Sequence, residues 1–506
     1  MEGRSIIVVG GGTSGWLTAA YLARAFEGRV SITLLESPGI GIIGVGEGAF
    51  PTIRETLRYI GIDEARFVRQ AGATFKQGVR FDDWLHAPAG KRRHRYLHPF
   101  EPPFHGGEAS LVPYWLLKDA DNRPPFAEAM TIQNRVAEAA RGPKRPGEGE
   151  YDGPLAYAYH FDAHRLADLL RTRAIELGVR HLEGVLTGVE PDGAGGIARI
   201  HSDAHGALAA DLFVDCSGFR AELIGRTLGA SFRSAKAHLF TDRALACKIP
   251  YDHPDAPIES VTTATAHEGG WIWDIGLQGA RGLGCVFSSA HVSDGRAAEI
   301  LRGYVGHDRF NARIIPFEPG YRETQWVGNC VAVGLSGGFL EPLESTGIVL
   351  IEAAAAMIAE LFPFGGPIDA PAARFNTLMT ARYAAITNFL KLHYCLSRRD
   401  EPFWRDNVAA ASIPDALATL LAQWRHRPPS RFDFTVDVES FAWFNYQYVL
   451  YGMEFETDLS GARDRFGDAE RAERWFERIR GFGRQAVADL PEHRALVRQL
   501  EGGVSA

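Results

Sequence analysis

Cysteine is scarce in this sequence, and the few cysteines present form no recognisable pair. Five occur among 506 residues, far apart and without a CxxC spacing: Cys216, Cys247, Cys285, Cys330 and Cys395. A disulfide framework or a cysteine zinc site requires closer and more regular spacing, so both are excluded. No HExxH motif and no facial-triad spacing are present either, and we assign no metal to the chain.

Long apolar runs and an excess of positive charge are also missing. No apolar stretch reaches the roughly 18 residues of a membrane helix, and the N-terminus runs directly into a strand pattern. We therefore expect no membrane association and a cytoplasmic location. The net charge of −8 argues against nucleic-acid binding. The basic cluster at residues 91–95 reads as a solvated turn, with binding of an anionic partner as the alternative.

The first 36 residues follow the pattern of a dinucleotide-binding unit. Apolar residues 6–9 predict a strand, residues 16–26 a helix, and residues 30–35 a second strand that ends at Glu36. The turn between the first strand and the helix, residues 10–15, reads GGGTSG. The chain therefore begins an α/β fold of the doubly wound type.

Each glycine of this turn has a physical reason to be there. Gly10 permits a tight turn, Gly12 lets the backbone approach a pyrophosphate, and Gly15 lets helix and strand pack closely. The helix N-terminus offers free N–H groups to phosphates, and a carboxylate at the end of the second strand can hold a ribose hydroxyl. The predicted dinucleotide-binding residues of this unit are Gly10, Gly12, Thr13, Ser14, Gly15 and Glu36.

Two later elements favour FAD over NAD. Residues 210–218 read as a strand that ends in a turn of small residues, and residues 330–334 lead through a second glycine-rich turn toward a helix at 348–361. Flavoproteins of the hydroxylase type close over one FAD with two such elements, although two unrelated strand ends would look similar. Hydroxylases usually carry Gly-Asp at the second turn, where this chain has Gly334-Leu335.

The remaining pattern predicts a two-part molecule. Asp162 is expected to cap an amphipathic helix that stops at Gly178. Residues 86–154 are dense in proline, glycine and aromatics, typical of an excursion over an active site, and residues 240–320 read as further strands. We predict a Rossmann-like FAD-binding core over residues 1–366, with an inserted substrate-side sheet and loops. Residues 367–506 then form a helical C-terminal lobe that completes the substrate pocket.

The segment 334–347 contains a candidate anion site. The helix beginning near residue 348 starts directly behind Ser345, Thr346 and Gly347, so their N–H groups could bind a small anion such as a halide, with Glu344 at the rim. An ordinary N-cap with Glu344 as a dipole partner explains this segment alone more simply.

Lys76 changes the balance between these two interpretations. Residues 74–81 alternate as one strand, with apolar side chains on one face and Lys76 on the other, where a lysine is ordinarily solvated. Yet an amine is what chemistry with a hypohalous acid (HOX) requires. It could hydrogen-bond HOX or form a haloamine, and so deliver X⁺ to an aromatic ring in a fixed direction. Glu344 could polarise the same species or accept the ring proton.

Several of these pieces match one known family. The chain resembles the flavin-dependent halogenases of the tryptophan-halogenase type over about residues 5–365. The matching segments are residues 10–16, 44–48 with Pro51 and Thr52, 73–78, 159–164, 215–219 and 339–348. The resemblance adds Gly46, Glu47 and Gly334 to the expected FAD-binding residues. It also implies that Lys76 and Glu344 are catalytic and that the backbone of Thr346 and Gly347 holds the halide.

The same resemblance implies which residues contact the substrate. His98 and Phe100 match residues that pack on the substrate ring, although a proline turn with ordinary burial would also explain them. Trp271 and Trp273 match a Trp-x-Trp-x-Ile-Pro signature that is thought to keep substrate from direct attack at the flavin. Gly276 replaces the proline of that signature, which removes a constraint on the backbone.

The substrate and partners follow only in part. Tryptophan-specific members hold the amino-acid group with C-terminal tyrosines and a glutamate, which residues 443–454 match only loosely. An indole or another aromatic without a zwitterion is therefore as good a substrate as tryptophan. The resemblance implies FADH2 from a separate flavin reductase, and the chain carries no second, nicotinamide-binding fingerprint. The sequence also permits a homodimer. The alternatives are an aromatic hydroxylase of similar fold and a flavin-binding protein without turnover.

Overall fold

The backbone of the protein forms two compact units. The computed structural model describes residues 4–39, 41, 44, 46–90, 93–104, 110–435 and 440–502. Val45 of the 44–48 motif and Lys91 and Arg92 of the basic cluster lie outside the described residues. The first unit consists of Met1–Ala73, Phe161–Lys236 and Phe317–Ala384, and the second of Thr74–His160, Ala237–Pro316 and Ala385–Ala506. The units interleave along the chain, whereas the predicted domains follow one another, and a functional boundary at residues 366 and 367 stays a prediction.

The strands are short in most of the chain and longest in the second unit. Their bounds are Arg4–Val9 (β1), Val30–Glu36 (β2), Glu47–Gly48 (β3), Thr74–Lys76 (β4), Gly78–Asp82 (β5), Arg95–Pro99 (β6), Ala158–Phe161 (β7), Arg180–Glu183 (β8), Leu186–Pro191 (β9), Ile197–Ser202 (β10), Gly206–Leu208 (β11), Leu212–Asp215 (β12), Phe232–Ser234 (β13), Arg243–Pro250 (β14), Thr262–His267 (β15), Gly270–Gly276 (β16), Ala280–Phe287 (β17), Arg313–Pro316 (β18), Gly320–Arg322 (β19), Trp326–Val327 (β20), Cys330–Ala332 (β21) and Gly338–Phe339 (β22).

The helices dominate the C-terminal third of the chain. Their bounds are Thr13–Phe26 (α1), Ile53–Ile60 (α2), Glu64–Ala71 (α3), Val112–Leu116 (α4), Phe126–Met130 (α5), Gln133–Glu138 (α6), Ala163–Glu176 (α7), Asp294–Val305 (α8), Thr346–Leu361 (α9), Asp369–Cys395 (α10), Pro402–Val408 (α11), Asp415–Trp424 (α12), Trp443–Gly452 (α13), Ala469–Asp489 (α14) and His493–Glu501 (α15). Within the described residues, no helix is long and apolar enough to cross a membrane.

The first unit contains the predicted dinucleotide fold. Its main sheet has the order β20-β21-β12-β1-β2-β8, in which all neighbours are parallel except the edge pair β20–β21. The apolar residues of β1 and β2 lie in the core, and α1 packs against α7 and α9. Both late strands, β12 and β21, run in the same direction as β1 on one side of it. The predicted strand–helix–strand unit and the two late strand–turn elements are confirmed.

The capped helix near residue 162 also forms as predicted. The Asp162 carboxylate accepts hydrogen bonds from the N–H groups of His164 and Arg165, at 2.9 and 3.2 Å, and α7 follows directly. The helix then ends at Glu176, with its last turn completed before Gly178. A side-chain cap therefore marked this helix start correctly.

The second unit is built on a mostly antiparallel sheet. Its strand order is β18-β14-β17-β16-β15-β5-β6, with one parallel pair between β15 and β5. One face packs against α8, whose Ala297 and Leu301 join Leu283 and Cys285 in a core cluster. The helix α8 corrects the expectation of strands alone over residues 240–320. Its Ser293 cap accepts from the N–H of Arg296 at 3.2 Å, a start signal that the prediction overlooked.

The strand predicted around Lys76 is not continuous. β4 ends at Lys76 and pairs with β7, whereas β5 begins at Gly78 and pairs with β15 and β6. Gln77 lies at the break, where its side-chain N–H donates to Ser260 Oγ at 3.0 Å. Gly78 has φ +156°, and a Cβ there would lie 2.3 Å from the carbonyl oxygen of His98. Alternation alone missed this break because hydrogen bonds from distant residues impose it.

Candidate cofactor and catalytic sites

The glycine-rich turn of the first unit has the geometry of a phosphate cradle. Gly10 has φ +118°, and a Cβ there would lie 2.3 Å from the carbonyl oxygen of Cys216. A Cβ on Gly15 would lie 1.8 Å from the carbonyl oxygen of Gly10, so strand and helix meet without room for a side chain. A Cβ on Gly12 would meet nothing within 4 Å. The turn is therefore closed on the protein side and open at Gly12, as a dinucleotide site requires.

The N-terminus of α1 carries no side-chain cap. Its N-cap residue is Gly12, no acidic residue lies in its first turn, and no cap side chain bonds its first N–H groups. The buried hydroxyl of Thr13 has no hydrogen-bond partner among the described residues. Uncapped N–H groups and an unsatisfied buried hydroxyl fit an anionic group such as a pyrophosphate.

Glu36 lies at the edge of the same turn. A Cβ on Gly11 would lie 2.2 Å from the Glu36 carboxyl carbon, so the carboxylate closes over the glycines. Nε2 of His181 on β8 lies 3.0 Å from Oε2 of Glu36, and the His181 ring meets Trp16 edge-on at 5.0 Å. The sequence predicted the position of Glu36 but not its histidine neighbour, because β8 and β2 pair only in the folded sheet.

The two late turns pack onto the first. The Asp215 carboxylate accepts from the N–H groups of Leu223 and Ile224, at 2.9 and 2.8 Å, and so holds the turn after β12. After β21, Gly334 has φ +73°, and a Cβ there would lie 2.7 Å from the Cβ of Ser14. Ser336 donates its hydroxyl to the carbonyl oxygen of Asp215. The predicted cofactor residues Gly10, Ser14 and Gly334 thus lie together in this unit.

Gly46 and Glu47, predicted from the family motif, lie in the same unit. Glu47 is half-buried on β3, and loss of hydration raises the pKa of its carboxyl to about 7, with Asp162 adding to the effect. Gly44 packs closely on this side chain, since a Cβ there would lie 2.4 Å from Oε1 of Glu47. This acid is therefore protonated over part of the neutral pH range.

The start of α9 has an unusual backbone. Glu344 and Ser345 are consecutive residues with positive φ, +63° and +58°, although neither is glycine. Ser345 is the N-cap residue, yet its side chain makes no cap hydrogen bond, and no acidic residue lies in the first turn of α9. A Cβ on Gly347 would meet nothing within 4 Å. An ordinary side-chain cap is therefore not formed, and the strained, open helix start suits an anion.

A buried glutamate on α9 went unnoticed in the sequence. Glu352 accepts hydrogen bonds from the hydroxyls of Thr52 and Thr56, at 2.9 and 2.5 Å, which joins α9 to the start of α2. Burial raises the pKa of the Glu352 carboxyl to about 7, and the charge of Glu55 acts in the same direction. Because α9 reads as a uniformly apolar helix, only its threonine partners could have indicated a role for this acid.

In the second unit, the predicted catalytic lysine is fully buried. Lys76 has no exposed surface, and its Nζ lies 5.4 Å from the centre of the Phe100 ring. The expectation that a lysine on this face is solvated is therefore wrong for Lys76. Two residues earlier, the Thr74 hydroxyl donates to the carbonyl oxygen of Gly276 at 2.6 Å. Burying an amine costs free energy, which hydrogen bonds, an opposite charge or contact with an aromatic ring must offset.

His98 stands on the neighbouring strand, β6, among aromatic residues. Its Nε2–H donates to Oδ1 of Asn445 at 3.0 Å, and its ring lies near Phe389, Phe441 and Tyr448 at 5.6 to 6.4 Å. The Phe389 and Phe441 rings are stacked, with centroids 3.8 Å apart. The two predicted substrate-side residues, His98 and Phe100, thus stand at one strand end, and these neighbours of His98 are uncharged.

The two signature tryptophans share one face of β16. Trp271 is buried and lies 6.2 Å from the Trp84 ring, while the Trp273 ring lies across Gly284, where a Cβ would be 2.0 Å away. Gly276 ends the strand with little space around it, since a Cβ there would meet Ile258 at 2.8 Å. Glycine at the proline position is therefore fixed by packing rather than left free.

Two buried histidines flank the strand of Lys76. His160, opposite Thr74 on β7, has its pKa lowered well below the usual value by burial and by the charges of Lys76 and His493. His493 has its pKa lowered to about 4, chiefly by burial. Neither histidine was predicted, because one lies inside a family motif without an assigned role and the other 417 positions away from Lys76 in the chain.

The glycine turn and the two late turns of the first unit form a Rossmann-like unit of the kind with which flavoproteins bind FAD. A profile of the tryptophan halogenase family matches residues 5–464. A tryptophan 6-halogenase from Streptomyces toxytricini is 35% identical over 512 residues, with 96% of each chain covered.

Solved structures agree with this match. A tryptophan halogenase from Shewanella frigidimarina NCIMB 400 has 37% identity and a TM-score of 0.95, with 99% of this chain and 98% of that chain covered. A flavin-dependent halogenase from Brevundimonas sp. BAL3 has 32% identity and a TM-score of 0.88, with coverage of 98% and 99%.

The chain therefore belongs to the tryptophan halogenase family. The predicted fold class and enzyme class, an α/β flavin-dependent halogenase, are confirmed, and the hydroxylase alternative is not favoured. The roles of individual residues stay predictions.

Proposed function

We propose that this protein is an FADH2-dependent halogenase that uses O2 and chloride or bromide to form HOX and halogenates an electron-rich aromatic of the indole type. The observation that carries this proposal is the burial of the Lys76 amine beside the Phe100 ring. A hydroxylase, which transfers oxygen directly, has no use for such an amine, whereas delivery of X⁺ requires a group of this kind.

The first unit would hold the cofactor. The open backbone at Gly12 and the free N–H groups of α1 suit the pyrophosphate, Glu36 suits the ribose, and the turn at Gly334 completes the cradle. Reduced FAD supplies the electrons with which O2 becomes an oxidant of halide. In this proposal the FADH2 comes from a separate flavin reductase, because the chain carries no second nicotinamide-binding fingerprint.

The halide would bind at the start of α9. The N–H groups of Thr346 and Gly347 lie at a helix N-terminus that no side chain caps, and Gly347 faces open space. The consecutive positive φ angles at Glu344 and Ser345 cost energy that an ordinary turn would avoid. A bound anion supplies a reason for this strain.

Lys76 would direct the oxidised halogen. Its ammonium can donate a hydrogen bond to HOX, or its neutral amine can react to a haloamine, and either way X⁺ is delivered from a fixed point. Substitution on an aromatic ring also releases a proton, which the carboxylate of Glu344 can accept. Because Lys76 is held by a short, anchored strand, the direction of delivery is set by the fold.

The substrate would be a small, electron-rich aromatic. His98 and Phe100 offer ring surfaces to it, and the contacts of His98 with Asn445, Phe441 and Tyr448 are all with uncharged side chains. These contacts suit an indole, or another aromatic without a zwitterion, at least as well as free tryptophan. A homodimer in the cytoplasm completes the proposal, and the five unpaired cysteines are compatible with a reducing compartment.

The test is an assay of the complete reaction by mass spectrometry. The protein is incubated with flavin reductase, NADH, FAD, O2, bromide or chloride, and a panel of indoles and phenols. We expect products with a halogen isotope pattern. Hydroxylated product from a halide-free reaction, or no halogenated product from any member of a broad panel, would contradict the proposal.

A further inference from the structure

The C-terminal helix α15 begins with a histidine that contacts the strand of Lys76. His493 is 1% exposed, and its Nε2 accepts a hydrogen bond from the main-chain N–H of Phe75 at 2.9 Å. Its Nδ1 lies 3.0 Å from the carbonyl oxygen of Ile258. A neutral imidazole has one donor nitrogen and one acceptor nitrogen, so these partners assign the proton to Nδ1.

The residue that His493 holds is the one directly before Lys76. β4 has three residues, and β7 supports it with only three paired positions, so each further backbone bond matters. The Phe75 ring also packs on the imidazole, with centroids 5.9 Å apart. Phe75 is therefore fixed through both its main chain and its side chain.

The helix that carries His493 is itself fixed to the second unit. The main-chain N–H of His493 donates to the carbonyl oxygen of Ala140 at 2.9 Å. Arg494 donates to the carbonyl oxygens of Ala256 and Gln278, the latter at 3.1 Å. These bonds place the imidazole in a rigid frame, which a positioning role requires.

We propose that His493 is a positioning residue for Lys76, which fixes the Phe75 backbone and thereby the direction of the Lys76 amine. This inference rests on the proposed function of Lys76. It assigns a role in the reaction to the C-terminal helix, far from Lys76 in sequence. A charged imidazole would turn an N–H toward the N–H of Phe75, so His493 works only in its neutral form.

The surroundings keep His493 neutral. Its pKa is lowered to about 4, with burial as the largest cause. Arg494 on the same helix is a charged neighbour and opposes a further positive charge on His493. His160 is a titratable neighbour, but its own burial keeps it neutral. Lys76 adds a positive charge to the same region of the unit.

The test compares replacements of His493 that keep or remove the acceptor. In His493→Gln, the amide oxygen can accept from Phe75, whereas His493→Phe fills the space without an acceptor. With bromide and indole as probes, we expect kcat to fall about 10- to 100-fold in His493→Phe, since small misplacements of a reacting group have effects of this size. KM for indole and the affinity for FAD should stay unchanged, and His493→Gln should restore most of kcat.

A second readout does not depend on turnover. In the FAD-free protein, hydrogen–deuterium exchange of the peptide that spans Phe75 should accelerate in His493→Phe and stay slow in His493→Gln. If His493→Phe does not fold, His493→Asn replaces it. The asparagine side chain is one methylene shorter than that of glutamine, so its amide oxygen falls short of the N–H of Phe75. Arg498→Ala serves as the control, because it removes a bond from α15 to the carbonyl oxygen of Pro254 and leaves the His493 acceptor in place.

The outcomes separate this inference from the proposed function. Equal kcat in the Phe and Gln variants, or unchanged exchange at Phe75, would overturn the role of His493 even if Lys76 proves essential. Full halogenation by Lys76→Met would instead overturn the proposed function, whatever the behaviour of the His493 variants. Release of free HOX, detected with a soluble trap, should rise in His493→Phe because the amine no longer intercepts it.

Discussion

The first unit offers main-chain groups to its predicted anions, whereas the second unit offers a buried side chain to its predicted reaction. Around the glycine turn and the start of α9, the free groups are backbone N–H donors at uncapped helix starts. In the second unit, the candidate reactive group is the Lys76 side chain, and hydrogen bonds from distant residues hold the strand that carries it. A backbone site for an anion is formed largely by residues that are neighbours in the sequence. The position of a side-chain amine, in contrast, depends on contacts from the whole unit.

The two units also differ in their buried titratable groups. The first unit contains Glu47 and Glu352, each with its pKa raised to about 7 by burial. The second unit contains His267 and His493, each with its pKa lowered to about 4. Burial favours the neutral form in every case, but acids and bases then respond to pH in opposite directions. The comparison predicts that acidic and alkaline conditions weaken different parts of the molecule.

The sharpest test of the comparison separates binding from chemistry. Lys76→Met should reduce halogenation about 1000-fold, the scale on which an essential nucleophile or proton donor acts. FAD affinity, measured by flavin fluorescence, should not change, because the predicted cofactor residues belong to the first unit. Lys248→Met, an exposed lysine on β14, is the matched control and should keep full activity. A Lys76 variant with normal product yield would contradict the assignment of cofactor binding to the first unit and of the chemistry to Lys76 in the second.

The reverse experiment alters the backbone of the first unit. Gly15→Ala places a Cβ 1.8 Å from the carbonyl oxygen of Gly10, so the helix must shift away from the turn. Overpacking of this kind costs about 1–3 kcal/mol, and we expect FAD affinity to fall about 10- to 100-fold. Gly303→Ala on α8, where a Cβ meets nothing within 4 Å, is the control. Unchanged FAD affinity in Gly15→Ala would contradict the assignment of this turn.

Glu352 should make the first unit less stable as pH rises. The pKa of its carboxyl is about 7 in the folded protein and 4.5 in an exposed glutamate, so the folded state binds the extra proton between these values. The contribution of the protonated Glu352 carboxyl to stability is fully present below pH 4.5 and is lost as pH rises through 7. Glu352→Gln should therefore gain about 1–3 kcal/mol over the wild type at pH 8 and little at pH 4.5.

Thermal unfolding at both pH values measures this gain, with Glu360→Gln, an acid near the end of the same helix that is less buried, as the control. A Glu352→Gln variant that is less stable than the wild type at pH 8 would show that the charged form is the one the fold prefers.

His493 should produce the opposite dependence in the second unit. Its pKa is about 4 when folded and 6.5 in an exposed imidazole, so the unfolded chain binds the extra proton between these values. The contribution of neutral His493 to stability is fully present above pH 6.5 and is lost as pH falls to about 4. Glutamine does not titrate, so in His493→Gln the decrease in the free energy of unfolding at acidic pH should be smaller by about 1–2 kcal/mol. Unfolding curves at pH 7 and 5 test it, with the exposed His164→Gln as the control.

The smallest effect is expected at the halide site. Gly347→Ala adds a methyl group where no protein atom lies within 4 Å, and alanine is favourable in a helix, so folding should not suffer. If halide binds beside this amide, its KM should rise about 3- to 10-fold while FAD affinity stays constant, in line with a loss of about 1 kcal/mol. Gly481→Ala on α14 is the control, and an unchanged halide KM would argue against this location.

Local sequence was a good guide where local forces decide. The glycine turn, the strand before it, the helix after it and the Asp162 cap all formed as predicted, because turn geometry and capping depend on neighbouring residues. The helix α8 was missed although Ser293 signals its start, since the surrounding strands dominated the pattern. The sequence left two interpretations of the start of α9 open, an anion site and an ordinary N-cap, because residue types alone do not show whether the Ser345 side chain makes a cap hydrogen bond.

The sequence itself determined the glycine turn, which follows from residue types at fixed spacings, and it pointed to the candidate lysine through its resemblance to a known family. Only the tertiary structure decided that Lys76 is buried, that its strand breaks at Gln77, and that His493 fixes the residue before it. The physical reason is that burial and hydrogen bonding join residues hundreds of positions apart. Sequence spacing describes only residues that are close along the chain, whereas the environment of an amine is set by residues that are close in space.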